Sequence, residues 1–331
     1  MSVSPIIRYR NGPDDRGVSR QSRVAYAATR RLVRPFIASA PITMQSIRVA
    51  VLLDRIAGVL REPCNIFRER VQLDGFPLEI VRPEGEHRDM RDGVVLYFHG
   101  GAFLCCGLNT HRRVVASIAK RTRMPVVSVD YRQLPRTRIE GSTADCLAAY
   151  RWLLDQGARG ENVVFAGDSA GGFLTFSTAL AAREAGLPLP AGLIGLSPLL
   201  NLDCSDRRYF RNAHRDPFTT VRAVAAVCRL ASGHRRRVDP MQSPVNRDLS
   251  GLPPTLLMAG ETEVLLADAE LMARRLARAD VACTLEIWRG QVHAFPALYP
   301  DLPESRAALR EVAAFITERI GSDVRRSDRI A

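Results

Sequence analysis

From "VVLYFHG" onward the chain repeats one arrangement, a short and almost wholly apolar run followed by a segment of helical length and period. "VVLYFHG" leads to "THRRVVASIAKRT". "PVVSVD" leads to a stretch carrying Cys146, Ala149, Tyr150, Leu153 and Leu154, and "NVVFAG" to "GGFLTFSTALAARE". Runs apolar on both faces that alternate with helices specify a parallel sheet covered on both sides, an α/β architecture. "AGLIGLSPLL", "PPTLLMAG" and "VACTLEIW" extend the sheet, and Leu309, Val312, Ala313, Ile316 and Ile320 mark the buried face of a closing helix. Upstream, "RERVQLDGFPLEIVRP" reads as a hairpin turning at Asp74-Gly75. Before residue 66 the pattern is helical and basic. Val49, Leu52, Leu53, Ile56, Val59 and Leu60 recur at helical spacing, a stripe expected to pack against the main body. Residues 203 to 250, with "RRYFRNAHRDPF" and "ASGHRRRVDP" around the helical run "TTVRAVAAVCRLA", read as an excursion between two strands.

"VVFAGDSAGG" carries the chemistry. Gly167, Ser169 and Gly171 form G-x-S-x-G between an apolar strand and a helix, the context in which this motif makes a nucleophile elbow. Such a turn strains the serine backbone, and the flanking glycines remove side chains that would collide. The hydroxyl then stands above a helix N-terminus, where the dipole and free amides favour negative charge. "YFHGGAF" ends another strand at His99 and turns through Gly100 and Gly101, where backbone N–H groups can approach a ligand closely, as an oxyanion hole requires. Histidines after Ser169 are His214, His234 and His293. "GETEVLLADAE" offers Glu261, Glu263, Asp268 and Glu270 as carboxylates.

"HGGAF" followed by "GDSAGG", with "DYR" at Asp130 to Arg132 between them, resembles the bacterial branch of the hormone-sensitive-lipase family of α/β-hydrolases over roughly residues 92 to 320. The resemblance implies the α/β-hydrolase fold, with an eight-stranded, mostly parallel sheet flanked by helices. It also implies a catalytic domain of residues 66–331 under a helical cap formed by residues 1–65 and an insertion at about 203–250. The activity it implies is hydrolysis of a small-molecule acyl ester or lipid, with no metal or organic cofactor. Carried over by position, Ser169 is the nucleophile and the amides of Gly100, Gly101 and Ala170 hold the oxyanion. His293, in "WRGQVHAFP", matches the H-x-F segment of the family's base, and the base comes last in chain order in this fold. Where relatives carry Asp-Pro-Leu the chain has Glu263-Val264-Leu265, so Glu263 stands as the acid. Asp268, deeper in the expected helix Leu266 to Ala277, is its rival, and Glu261 and Glu270 are expected to be solvated. Arg136 replaces a glutamate usual after "DYR", and Cys105 and Cys106 either line the acyl pocket or pack as small buried side chains.

The formal charge of +12 comes almost wholly from arginine, since Lys120 is the one lysine. The clusters (Arg30, Arg31, Arg34; Arg207, Arg208, Arg211; Arg235 to Arg237; Arg325, Arg326) lack aromatic interleaving or a zinc pattern, which argues against a nucleic-acid partner. Contact with an anionic membrane surface fits better. The cysteines show no CxxC spacing, so neither a disulfide framework nor a zinc site is expected. No leader-like apolar stretch opens the chain and no run reaches the roughly 20 apolar residues of a membrane span. A reducing, cytoplasmic setting, with peripheral membrane or cell-envelope association as the alternative, is the expectation.

Overall fold

The computed structural model describes residues 4–39, 44–50, 52–59, 63–85, 87–233 and 238–327. Its strands are β1 (Ile6–Arg10), β2 (Ile66–Leu73), β3 (Phe76–Pro83), β4 (Val94–Phe98), β5 (Val126–Val129), β6 (Val163–Asp168), β7 (Gly192–Leu196), β8 (Thr255–Gly260) and β9 (Cys283–Trp288). They form one sheet in the order β1-β9-β8-β7-β6-β4-β5-β3-β2. The hairpin β2–β3 and the pair β3–β5 are antiparallel, and every other pairing is parallel. The hairpin turns at Asp74-Gly75 as the sequence indicates, Leu73 facing Phe76 across it.

The helices are α1 (Arg20–Ala28), α2 (Arg34–Ser39), α3 (Met44–Ala50), α4 (Leu52–Ala57), α5 (Leu108–Thr122), α6 (Ile139–Asp155), α7 (Ala170–Glu184), α8 (Val221–Ser232), α9 (Leu266–Arg278), α10 (Phe295–Leu298) and α11 (Pro303–Ser327). Because successive strand residues face opposite ways, β4 sends Val94, Leu96 and Phe98 into one core and Val95 and Tyr97 into the other. The first core is closed by α6, α7 and α9, the second by α5 and α11. Leu309, Val312, Ala313, Ile316 and Ile320 of α11 are all buried. Among the described residues no helix is long and apolar enough to cross a membrane.

Two expectations change. Among the described residues the sheet has nine strands where eight were expected, and the added one, β1, lies in the N-terminal stretch read as helical. Its Ile6, Ile7 and Tyr9 are about half exposed or more, and its partner β9 lies far along the chain, so no local pattern announces it. Arg10 fastens it, donating through Nε to Glu286 Oε1 at 3.0 Å. The apolar stripe before residue 60 is also not buried. Val49, Leu52, Leu53, Ile56 and Val59 are exposed, and Leu60 lies outside the described residues. α4 is held through polar contacts instead. Asp54 accepts from the Thr110 amide at 2.8 Å and from Asn109 Nδ2 at 2.9 Å at the start of α5, and Arg112 donates to the Ala57 carbonyl at 2.7 Å.

Candidate active site

β6 ends at Asp168 and α7 begins at Ala170, so Ser169 alone makes the turn, with φ 52° and ψ −115°. A non-glycine residue there is strained, and the surroundings must hold it. They do so through the backbone: Ser169 N–H donates to the Leu196 carbonyl at 2.9 Å, and Leu199 N–H donates to the Ser169 carbonyl at 3.0 Å. Gly171 lets α7 start this close to β4, since a Cβ there would sit 1.9 Å from the Phe98 carbonyl oxygen. Ser169 therefore stands at the amino end of a 15-residue helix.

His293 follows β9 in a loop closed by Ala294, whose backbone is left-handed (φ 47°) and whose N–H donates to Ser197 Oγ at 2.9 Å. The imidazole bridges two groups. Nε2 lies 2.9 Å from Ser169 Oγ and Nδ1 lies 2.8 Å from Glu263 Oε2. With the proton on Nδ1, donated to the carboxylate, Nε2 is left to accept from the serine hydroxyl. Glu263, wholly buried just after β8, turns its other oxygen to the Gly260 N–H at 2.7 Å, which absorbs the extra methylene relative to aspartate. Burial, the largest influence on each group, pulls the imidazole down and pushes the carboxyl up. The hydrogen bond and charge of Glu263 outweigh burial at His293 and hold it above its ordinary value, while the carboxyl stays raised although His293 pulls it back.

Beside the serine, the "HGGAF" turn is tight. Gly101 has φ 126°, and a Cβ on it would meet the Cys105 carbonyl oxygen at 1.9 Å. Among the amides assigned to the oxyanion, that of Gly100 needs correction. Its N–H donates to Asp168 Oδ1 at 3.0 Å and so belongs to a buried network behind the turn. The N–H groups of Gly101 and of the next residue, Ala102, have no acceptor among the described residues, and they lie in the same turn. The network joins Asp168 to Tyr97 Oη at 2.8 Å and to His111 Nε2 at 3.2 Å. Burial weighs most on both ends, but Asp168 overcomes it and lifts His111 to about 9, and His111 in turn holds the Asp168 carboxyl low. A buried ion pair thus ties α5 to the turn that carries Ser169. His99 is neutral: burial, then the neighbouring His111, lowers it to about 4. Among the described residues no group of His, Cys, Asp and Glu converges to hold a metal ion.

A serine at a strained strand-to-helix turn, a histidine after the last strand and a carboxylate between them in chain order narrow the choice of family, and a family model described as the alpha/beta hydrolase fold matches residues 95–297. The chain belongs to the α/β-hydrolase family. It is 38% identical over 277 residues to an esterase of Mycobacterium tuberculosis, LipU, covering 82% of this chain and 93% of the relative. It is 34% identical over 323 residues to the carboxylesterase/phospholipase LipF of the same organism, covering 95% and 85%. A solved esterase structure from the bacterial hormone-sensitive-lipase family superposes with a TM-score of 0.81 at 31% identity, over 92% of this chain and 99% of that one. The branch is therefore the one its motifs resemble.

In this α/β-hydrolase the other carboxylates of "GETEVLLADAE" face elsewhere. Asp268, buried at the start of α9, accepts from Arg207 Nε at 2.9 Å and from the amides of Leu200 and Asn201 at 2.7 and 2.9 Å. Glu270 pairs with Arg211, and Glu261 lies 3.7 Å from Arg289. Arg136, in place of the usual glutamate, donates to the Gly75 carbonyl of the hairpin turn at 3.2 Å. Cys105 and Cys106 are half-buried, Cys105 against the Gly101 carbonyl. His214 is exposed and His234 lies outside the described residues.

Residues 203–250 supply three groups that the motifs did not reveal. Asn212 Nδ2 donates to the carbonyls of Glu261 and Glu263 at 2.8 and 3.0 Å. Asp216 accepts from Val264 N–H at 2.7 Å and, through its other oxygen, from Phe218 and Thr219 N–H at 2.7 and 2.9 Å. The Phe218 ring packs 5.1 Å from the His293 ring. Together they clamp the Glu263 loop and the imidazole from one side. Asp216→Ala releases that clamp, and misplacing catalytic groups by about an ångström costs on the order of 10²-fold. The expected result is a fall of that size in kcat on a soluble ester with KM little changed; a kcat within about twofold of the parent would remove Asp216 from this role.

Proposed function

We propose that this esterase hydrolyses short- to medium-chain acyl esters by two-step acyl transfer through Ser169, His293 and Glu263. The observation that carries the reading is the imidazole bridging Ser169 Oγ and Glu263 at 2.9 and 2.8 Å. His293 Nε2 takes the hydroxyl proton as Oγ attacks the ester carbonyl, and Glu263 orients the ring and stabilises the imidazolium. The carbonyl oxygen gains charge within reach of the amides of Gly101, Ala102 and Ala170 at the amino end of α7, while Gly100 stiffens the turn from behind through Asp168. His293 then protonates the leaving alcohol, and water repeats the sequence on the acyl-enzyme. The acyl group lies under a cap formed by the N-terminal helices α1 to α4 and the insertion at about 203–250.

A series of p-nitrophenyl esters from acetate to palmitate tests the substrate class. The expected result is a maximum in kcat/KM at intermediate chain length without a jump at the micellar threshold. A maximum on the longest esters, with a sharp rise above that threshold, would replace this reading by a lipid-directed one. One observation favours the lipid alternative: Val49, Leu52, Leu53, Ile56 and Val59 are exposed near Arg55 on the N-terminal segment, an arrangement suited to an anionic membrane surface and to the phospholipase activity in the name of LipF.

His293 is active as a base only when neutral. Its folded-state value is raised, so protonation sets in at a higher pH than for a free imidazole. Activity is therefore full above that value and lost as pH falls through it. The acid limb of kcat/KM on a non-ionising ester should have its midpoint above the ordinary imidazole value of about 6.5. A midpoint well below it would contradict the Glu263 pairing.

A further inference from the structure

We infer that Cys204 is a thiol-modification site that reacts with small anionic disulfides and passes the new bond to Cys228. The two thiols come from different parts of the 203–250 insertion, Cys204 from the loop after β7 and Cys228 from α8, and their Sγ atoms lie 3.7 Å apart. They are not equivalent. Cys228 is wholly buried, whereas Cys204 is half-buried and lines a cavity of about 270 Å³. The cavity wall also carries Arg208 and Arg229, with Asp203 as the acidic group among its lining residues. A third cation touches the sulfur directly: Arg207, buried and ion-paired to Asp268, donates through Nη1 to Cys204 Sγ. A guanidinium against sulfur favours the thiolate, which is the nucleophile in disulfide exchange.

The electrostatics point the same way. The Cys228 thiol first, and then Arg207, hold Cys204 below the ordinary thiol range, while Cys228 is pushed well above it by Cys204 and by burial. One sulfur is an attacking group with access, and the other is a protonated thiol that a reagent reaches only through the first. The Cys204 thiolate attacks one sulfur of the reagent, forming Cys204–S–S–R and releasing one thiolate RS⁻. The Cys228 thiol then releases its proton to solvent and attacks Cys204 Sγ, which forms the Cys204–Cys228 disulfide and releases a second RS⁻. The reagent is reduced and the cysteine pair oxidised, with two electrons and two protons balanced. Closing the bond requires the sulfurs to approach from 3.7 Å to about 2.05 Å, a shift within reach of side-chain rotation.

The test uses the full chain carrying C64S, C105S and C106S, which removes the other accessible thiols and leaves the buried Cys146 and Cys283. The probe is dithiobis(nitrobenzoate), an anionic aromatic disulfide. Two equivalents of thionitrobenzoate per native chain are expected, with no adduct retained. Adding C228S should halve the release and leave a stable mixed disulfide on Cys204, and adding C204S should abolish it. Two equivalents from the C204S protein, or an adduct retained when both cysteines are present, would overturn the assignment. The unsubstituted protein provides a check independent of variant folding. Peptide mapping after oxidation should show a Cys204–Cys228 link that dithiothreitol reverses, and a Cys105–Cys106 link alone would refute it.

Discussion

Ser169→Ala should lower ester turnover by on the order of 10⁶-fold, the scale of losing a nucleophile whose partners act as a unit. The fold should survive. The side-chain hydrogen bond of Ser169 is the one to His293 Nε2, while the strained turn is held by backbone bonds to Leu196 and Leu199 that alanine also makes. Circular dichroism and thermal unfolding close to the parent, together with loss of turnover, would separate chemistry from folding. A fluorophosphonate should label the parent at Ser169 and leave the variant unlabelled. Residual turnover near the parent's, or label on another serine, would sink the assignment.

The second large effect divides Glu263 from Asp268. In Glu263→Gln the amide oxygen can keep the Gly260 N–H, which leaves the NH₂ group facing His293 Nδ1. Nδ1 must then accept, the ring proton moves to Nε2, and the base can no longer receive the serine proton. Losses on the order of 10⁴-fold in kcat accompany such a tautomer error in a serine triad. Asp268→Asn should behave in the opposite way. It leaves the buried Arg207 guanidinium without its counter-charge, and breaking a buried pair from one side costs about 3–5 kcal/mol. Denaturant unfolding should record that loss, while kcat per folded molecule changes only a few-fold. A severe kinetic effect from Asp268→Asn, with a mild one from Glu263→Gln, would transfer the acid's role to the helix.

That Ser169 and His293 would meet was legible in the sequence because each is bound to local pattern, a glycine-flanked serine between strand and helix and a histidine just after the final strand. The contact of Glu263 with His293 was legible through its position at the end of β8, where the triplet resembles the family's. Gly100 was misassigned because the direction of a backbone N–H depends on which acceptor it meets, and its acceptor, Asp168, sits 68 residues away. Asp216 and Phe218 gave no signal for the same reason. Their partners Val264 and His293 become neighbours only when the excursion folds back over the sheet. The apolar stripe before residue 60 follows helical periodicity, but periodicity cannot say which side of a helix the rest of the chain will cover.

β1 has a consequence for the strand beside it. It pairs in parallel with β9 along Ile6 to Arg10, and the Arg289 N–H continues the ladder to the Arg10 carbonyl. Without it, the outer row of β9 N–H and C=O groups would face water as an open template for a strand from another molecule. Deleting the residues before α1 should therefore loosen β9, the strand that leads straight to His293. Five residues at one margin of the sheet thus brace, from outside it, the strand that carries the chain to His293.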